Sequence, residues 1–180
     1  MKRVLVIGGA KSGKTRFSLT LGESLLGPGE RGLYIATCLP LDDEMREKVR
    51  LHQAERSHLW DTLDEPIQVW DQKGLPYGVL LLDCLTMWLL NVMEQAPKET
   101  ESHVERLVEW FSTTPQNVIV VTNEIGLGIV PQDSYSRRYR DLLGSLNQSM
   151  AQAASDVYFV LAGIAINIKE IGGMNVHAQP

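Results

Sequence analysis

Apolar residues along this chain gather in short continuous runs rather than in strict alternation. Val4-Leu5-Val6-Ile7, Leu33-Tyr34-Ile35-Ala36, Val79-Leu80-Leu81-Leu82, Val118-Ile119-Val120-Val121 and Val157-Tyr158-Phe159-Val160-Leu161 are each bounded by glycine, proline or polar residues. Runs of this length predict strands buried on both faces, as in a parallel sheet covered by helices. Ile67-Gln68-Val69-Trp70, after Pro66, reads as a further short strand, and a last strand reaches Ile168. Between these runs the pattern changes to helical. Helices are expected to begin over Arg16–Leu21, from Asp42 or Asp43 as N-cap to about Ser57, over Leu85–Met93, from about Glu101 to Ser112 and from about Ser134 to Ala154. In the second of these, Met45, Val49, His52 and Arg56 share one face, because their spacing follows the helical repeat. Gln95–Ser102 is polar, holds Pro97 and predicts a flexible loop, and the glycine-rich Asn123–Pro131 predicts a loop at a strand's C-terminal end. Strands alternating with helices give an α/β class: one domain over residues 1–170 with a mainly parallel sheet and helices on both faces, and a tail over 171–180.

Composition narrows the setting. The 180 residues are 44% apolar and 22% charged, ordinary for a globular domain, with a formal charge of -5 and no basic block. A nucleic-acid or anionic-membrane partner is therefore not expected. Cys38 and Cys84 lie far apart without metal-ligand spacing, which suits a reducing cytoplasm. Only four apolar residues follow Met1-Lys2-Arg3, too few for a signal peptide or a membrane span.

The chemistry begins between the first strand and the first helix, at Gly8-Gly9-Ala10-Lys11-Ser12-Gly13-Lys14-Thr15. This is the GxxxxGK[ST] phosphate-binding pattern in strand-loop-helix context: glycines let successive N–H groups face a phosphate above a helix N-terminus. Lys14 is expected at the β- and γ-phosphates and Thr15 on Mg²⁺. Asp83 closes an apolar strand and is either a second Mg²⁺ ligand or a cap for the following helix. His52 and Arg56 stand one helical turn apart, where an imidazole nucleophile and a charge-neutralising guanidinium would project together. A structural histidine on a half-apolar face is the other reading. Arg137 and Arg140 face a phosphate or form a solvated basic turn with Arg138, and Asn123 and Glu124 could serve metal, substrate or backbone. His58, His103 and His177 read as surface residues, and Trp60, Trp70, Trp88 and Trp110 mostly as core.

Several of these pieces occur in one order: the phosphate loop, Tyr34-Ile35-Ala36-Thr37, Asp42-Asp43-Glu44-Met45, His52-Gln53-Ala54-Glu55-Arg56 with Trp60, Asp83-Cys84-Leu85-Thr86, Asn123-Glu124-Ile125-Gly126-Leu127-Gly128-Ile129-Val130-Pro131, and Arg140-Asp141-Leu142-Leu143-Gly144. Together they resemble the bifunctional adenosylcobinamide kinase and adenosylcobinamide-phosphate guanylyltransferase of cobalamin biosynthesis. The match runs from about Arg3 to Lys169, and the Asn123–Pro131 loop is its most specific part.

The resemblance implies a RecA-like P-loop NTPase domain and two reactions. A nucleoside triphosphate, ATP or GTP, phosphorylates the aminopropanol hydroxyl of adenosylcobinamide. GMP then passes from GTP to His52 and on to the phosphorylated corrinoid, giving adenosylcobinamide-GDP. It further implies nucleotide contacts from Gly8 through Thr15, from Ala36, Thr37 and Cys38, from Gln53, Ala54, Glu55 and Arg56, and from Asp64 and Asp83, with Mg²⁺ on Thr15 and Asp83 and a cytoplasmic homotrimer. Lys11 stands where arginine is usual, Ser57 where proline is, Asp64 where glutamate is, and Ala165 where proline is. Read without the resemblance, the residues also fit a P-loop small-molecule kinase lacking guanylyl transfer, or a regulatory nucleotide-dependent NTPase.

Overall fold

A computed structural model describes residues 1–39, 43, 47, 50, 53 and 56–171. The first apolar run forms β1 (Arg3–Gly8) and passes through the glycine loop into α1 (Lys14–Ser24). β2 (Gly32–Ala36) and β3 (Trp60–Asp64) follow, and a 3₁₀ turn over Val69–Gln72 leads to β4 (Val79–Asp83). Next come α2 (Leu85–Gln95), α3 (Thr100–Thr113), β5 (Asn117–Asn123), α4 (Ser134–Ala153) and the hairpin of β6 (Asp156–Leu161) and β7 (Ile164–Asn167). Asp43, Glu47, Arg50 and Gln53 are helical and exposed.

The strands lie in the order β3-β2-β4-β5-β1-β6-β7, and every neighbouring pair is parallel except β6–β7. Strand periodicity divides the apolar runs between two cores. Leu5, Leu33, Ile35, Leu80, Leu82, Val118 and Val120 pack with α2, α3 and α4, while Val4, Val6, Tyr34, Leu81, Ile119 and Val121 lie on the opposite face with Leu19 of α1. Trp60 belongs to the α1 side, where its indole fills the space that the absent side chains of Gly22 and Gly32 leave open. Among the described residues no helix is long and apolar enough to cross a membrane.

Four expectations change. Residues 67–70 are not a strand: Glu65 Oε1 accepts from the amides of Ile67 and Gln68 at 2.9 and 2.7 Å, which turns the chain and removes those donors from any ladder. The strand in this region is β3 instead, a polar edge strand whose residues alternate in burial. The connection over 95–102 is short, with Thr100 Oγ1 donating back to Pro97 O at 3.2 Å, so α2 and α3 nearly abut. His103 is buried rather than on the surface, its Nδ1 2.9 Å from Glu99 O and its ring edge-on to Trp70.

Candidate active site

Parallel strands bring their C-terminal ends to one edge, and most of the candidate residues within the described part gather there. In register, Ala36 of β2 stands between Asp64 of β3 and Asp83 of β4, and Gly8 of β1 stands between Asn123 of β5 and Val160 of β6. Six strand ends thus line the edge that carries the glycine loop, the position where open α/β sheets bind ligands.

The loop is built to leave amides free. Gly13, the N-cap of α1, has φ 96° and no side chain to cap with, and no acidic residue lies in the first turn. The amides and partial positive charge of that helix end therefore remain for an anion. At Gly8 only glycine fits, because a Cβ would lie 2.4 Å from Val160 O. The hairpin turn braces the loop from the far side through Gly163 N to Ser12 O at 2.9 Å. Inside the loop the Ser12 hydroxyl is buried and has no hydrogen-bond partner among the described residues, a donor left for a ligand. Lys14 Nζ folds back onto Gly9 O at 2.9 Å, and partial burial pushes the ammonium below its ordinary pKa against the pull of Asp83.

Asp83 does not cap α2, whose N-cap is Cys84 without a side-chain bond. Instead its Oδ2 accepts from Thr15 Oγ1 at 3.1 Å and from the Tyr34 hydroxyl at 2.5 Å. Burial, then the charge of Asp83 and the hydrogen bond to it, push the Tyr34 phenol well above its ordinary pKa, so it stays a donor. On the ring of Tyr34 lies the guanidinium of Arg56, its Cζ 3.5 Å from the ring centroid, and Arg56 Nη1 donates to Thr62 Oγ1 at 2.6 Å. Arg56 Nε is buried without a partner among the described residues.

A second tether fixes the chain just beyond Arg56. Glu23 Oε1, on α1, accepts from Ser57 Oγ at 2.6 Å and from Trp60 Nε1 at 3.2 Å. The segment carrying Arg56 is thereby tied to the helix that carries the phosphate loop. Neither Tyr34 nor Glu23 was flagged as a candidate by sequence. A polar residue on the inward face of an apolar strand was the available signal for Tyr34, and nothing marked Glu23.

The remaining candidates divide. Thr37 is fully buried and spent within the protein: its amide donates to Asp83 O, its hydroxyl bonds the Cys84 backbone in both directions, and its carbonyl accepts from Asn91. It locks β2 to β4 beneath the site. Cys38 is half-buried, Asp64 is exposed at the end of β3, and Gln53 is exposed. Asn123 Nδ2 donates to Thr86 Oγ1 at 2.7 Å, and Glu124 Oε1 accepts from Gly126 N at 2.6 Å, so both first organise their own loop. That loop presents Leu127, Ile129 and Val130 to solvent. Arg137 bonds the carbonyls of Pro131 and Gln132, and Arg140 pairs with Asp141, so both are already engaged. His52, Ala54 and Glu55 lie outside the described residues.

A divalent cation suits Thr15 and Asp83. Both offer hard oxygen donors, next to a phosphate cradle. Among the described residues no cluster of three or more His, Cys, Asp or Glu could hold a metal by itself. The pair therefore fits Mg²⁺, which shares its shell with substrate phosphates and water.

Residues 4–168 match the family described as cobinamide kinase / cobinamide phosphate guanyltransferase. The chain is 36% identical to the bifunctional adenosylcobalamin biosynthesis protein CobU of Escherichia coli over 92% of its own length and 99% of the relative's. It is 37% identical to the corresponding CobP of Pseudomonas aeruginosa over 93% and 97%, and 34% identical to CobU of Salmonella typhimurium over 92% and 99%. Among solved structures it resembles a KaiC-like protein of Pyrococcus horikoshii, with a TM-score of 0.50 at 15% identity over 88% of this chain and 70% of that one. This last likeness carries the fold alone, a RecA-like P-loop architecture.

Proposed function

The chain belongs to the cobinamide kinase / cobinamide phosphate guanyltransferase family, and from that premise we propose that it carries out both reactions in sequence on adenosylcobinamide. In the first, the aminopropanol hydroxyl attacks the γ-phosphorus of ATP or GTP held in the loop from Gly8 to Thr15. The bond to the β-phosphate oxygen breaks and a nucleoside diphosphate leaves. In the second, neutral imidazole of His52 attacks the α-phosphorus of GTP, a P–N bond forms and pyrophosphate leaves. A phosphate oxygen of the phosphorylated corrinoid then displaces histidine, yielding adenosylcobinamide-GDP.

Each residue has a task that follows from its place. The loop amides and Lys14 neutralise and align the phosphate chain. Arg56 offers a guanidinium where non-bridging oxygens gain charge. Mg²⁺, when bound by Thr15 and Asp83, supplies charge neutralisation across the phosphates. Gln53, Ala54 and Glu55 belong to the segment around His52, and Ala36, Cys38 and Asp64 rim the neighbouring strand ends, where ribose and base would lie, with the buried Thr37 bracing them from below. Asp64 reaches one methylene less far toward ribose or base than the glutamate usual there.

The single observation that carries this reading is the convergence on one strand edge of the phosphate loop, Asp83 and Arg56. The domain extends over 1–170, and we place it in the cytoplasm as a homotrimer. Leu161, Ile164, Ile166 and Ile168 are exposed along the β6–β7 edge, an apolar strip that a subunit contact would cover. Incubation with adenosylcobinamide, ATP, GTP and Mg²⁺ should yield adenosylcobinamide-GDP, and His52→Ala should stop at adenosylcobinamide phosphate. Absence of the GDP product from the wild-type protein would reduce the function to a kinase.

A further inference from the structure

We propose that Tyr34 is a positioning residue that holds Asp83 and Arg56 apart, so that the carboxylate stays available to a cation and the guanidinium to a phosphate. Three observations place it there. Tyr34 is only 3% exposed and sits on the α1 face of β2, one strand from Asp83 and one from Thr62. Its hydroxyl donates to Asp83 Oδ2, the same oxygen that accepts from Thr15, and no described residue bonds Oδ1. Its ring face carries Arg56 at 3.5 Å, and Arg56 is steered sideways by Thr62, the register partner of Tyr34.

The physical logic is one of competition. A guanidinium and a carboxylate that both contact one side chain would close into a bidentate pair if free to approach each other. Such a pair would neutralise the oxygen that must bind a cation and spend the donors that must meet a phosphate. An aromatic ring solves both problems at once. Its face satisfies the cation electrostatically, and its hydroxyl satisfies one carboxylate oxygen while leaving the other free. Because Tyr34 lies on a central strand locked by β3 and β4, the spacing between the two charges is fixed by the sheet.

The inference rests on the reading of Thr15 and Asp83 as the cation-holding pair, and the test separates the two. GTP affinity is measured by equilibrium binding in EDTA and in Mg²⁺ for the wild type and for Tyr34→Phe, which keeps the ring and loses the hydroxyl. In EDTA the two proteins should bind GTP within about twofold of each other. In Mg²⁺ the variant should bind about ten- to a hundredfold more weakly, the scale of one hydrogen bond to a charged group. Equal affinities under both conditions would overturn the positioning role alone. A loss of the same size in EDTA and in Mg²⁺ marks a packing role and also overturns it. A wild-type affinity indifferent to Mg²⁺ would overturn the cation reading and this inference with it.

Discussion

Replacing Glu23 by alanine tests whether the segment after His52 is held by α1 as the hydrogen bonds indicate. Glu23 Oε1 serves two donors, Ser57 Oγ at 2.6 Å and Trp60 Nε1 at 3.2 Å, and Trp60 is buried against Gly22 and Gly32. In Glu23→Ala the indole N–H of the buried Trp60 loses its acceptor. A buried donor left unpaired costs about 1–3 kcal/mol, and the half-buried Ser57 hydroxyl adds little because it can turn to solvent. We therefore expect a loss of about 2 kcal/mol in urea unfolding, or about 4–8 °C in Tm for a chain of this length. Glu23→Gln keeps a carbonyl acceptor and should lose about half as much. The functional consequence is separate. Loosening the tether should slow single-turnover labelling by GTP carrying radioactive α-phosphate about tenfold, since misplaced nucleophiles lose rate steeply, while GTP affinity in EDTA changes less than about twofold. A destabilised variant that labels at the wild-type rate would show that the tether has no part in positioning. A variant of unchanged stability would show that the two hydrogen bonds are not made.

Other outcomes follow from the same geometry. Gly8→Ala should abolish nucleotide binding and destabilise the domain by about 1–3 kcal/mol, because the new methyl meets the Val160 carbonyl at 2.4 Å; GTP binding at wild-type strength would contradict the tight loop. Asp83→Asn should lower kinase turnover about a hundredfold with little change in melting temperature, and a variant with wild-type turnover would remove Asp83 from the cation site. Burial works to raise the Asp156 carboxyl, but hydrogen bonds from Lys2 and Ser155, the Lys2 charge and a bond from Asn167 outweigh it and hold the group below its ordinary pKa. A depressed folded-state pKa contributes stability that is present above about pH 4 and is lost as pH falls through the folded value. Asp156→Ala should therefore cost about 2 kcal/mol at neutral pH, and its gap from the wild type should narrow below about pH 4; a constant gap in urea titrations would refute this.

The parts of the fold that were legible in the sequence are those where one physical cause dominates. The runs at residues 33–36, 79–82 and 118–121 are buried on both faces and that at 4–7 nearly so, as central parallel strands require, while the run at 157–161 is less covered and ends on the exposed Leu161. The phosphate loop was legible because its glycines answer a backbone need. β3 was not, since Trp60-Asp61-Thr62-Leu63-Asp64 is an edge strand with polar residues among its apolar ones. Residues 67–70 misled because their amides are claimed by a side chain, Glu65, which no periodicity reveals. His103 looked like a surface histidine until the packing of Trp70 beside it was known. The roles of Tyr34 and Glu23 depend on register and on contacts across 49, 34 and 37 residues of chain, which only the assembled sheet supplies. The family resemblance supplied His52 as nucleophile, while Arg56 owes its setting to the ring beneath it.

The central claim is that a histidine of this protein carries GMP, and peptide mass spectrometry after exposure to GTP and Mg²⁺ tests it most directly. The account predicts a single acid-labile GMP adduct on His52, absent after incubation with ATP and weakened below about pH 6, where imidazole is protonated. An adduct on any other residue, or a protein that turns GTP over without one, would contradict it.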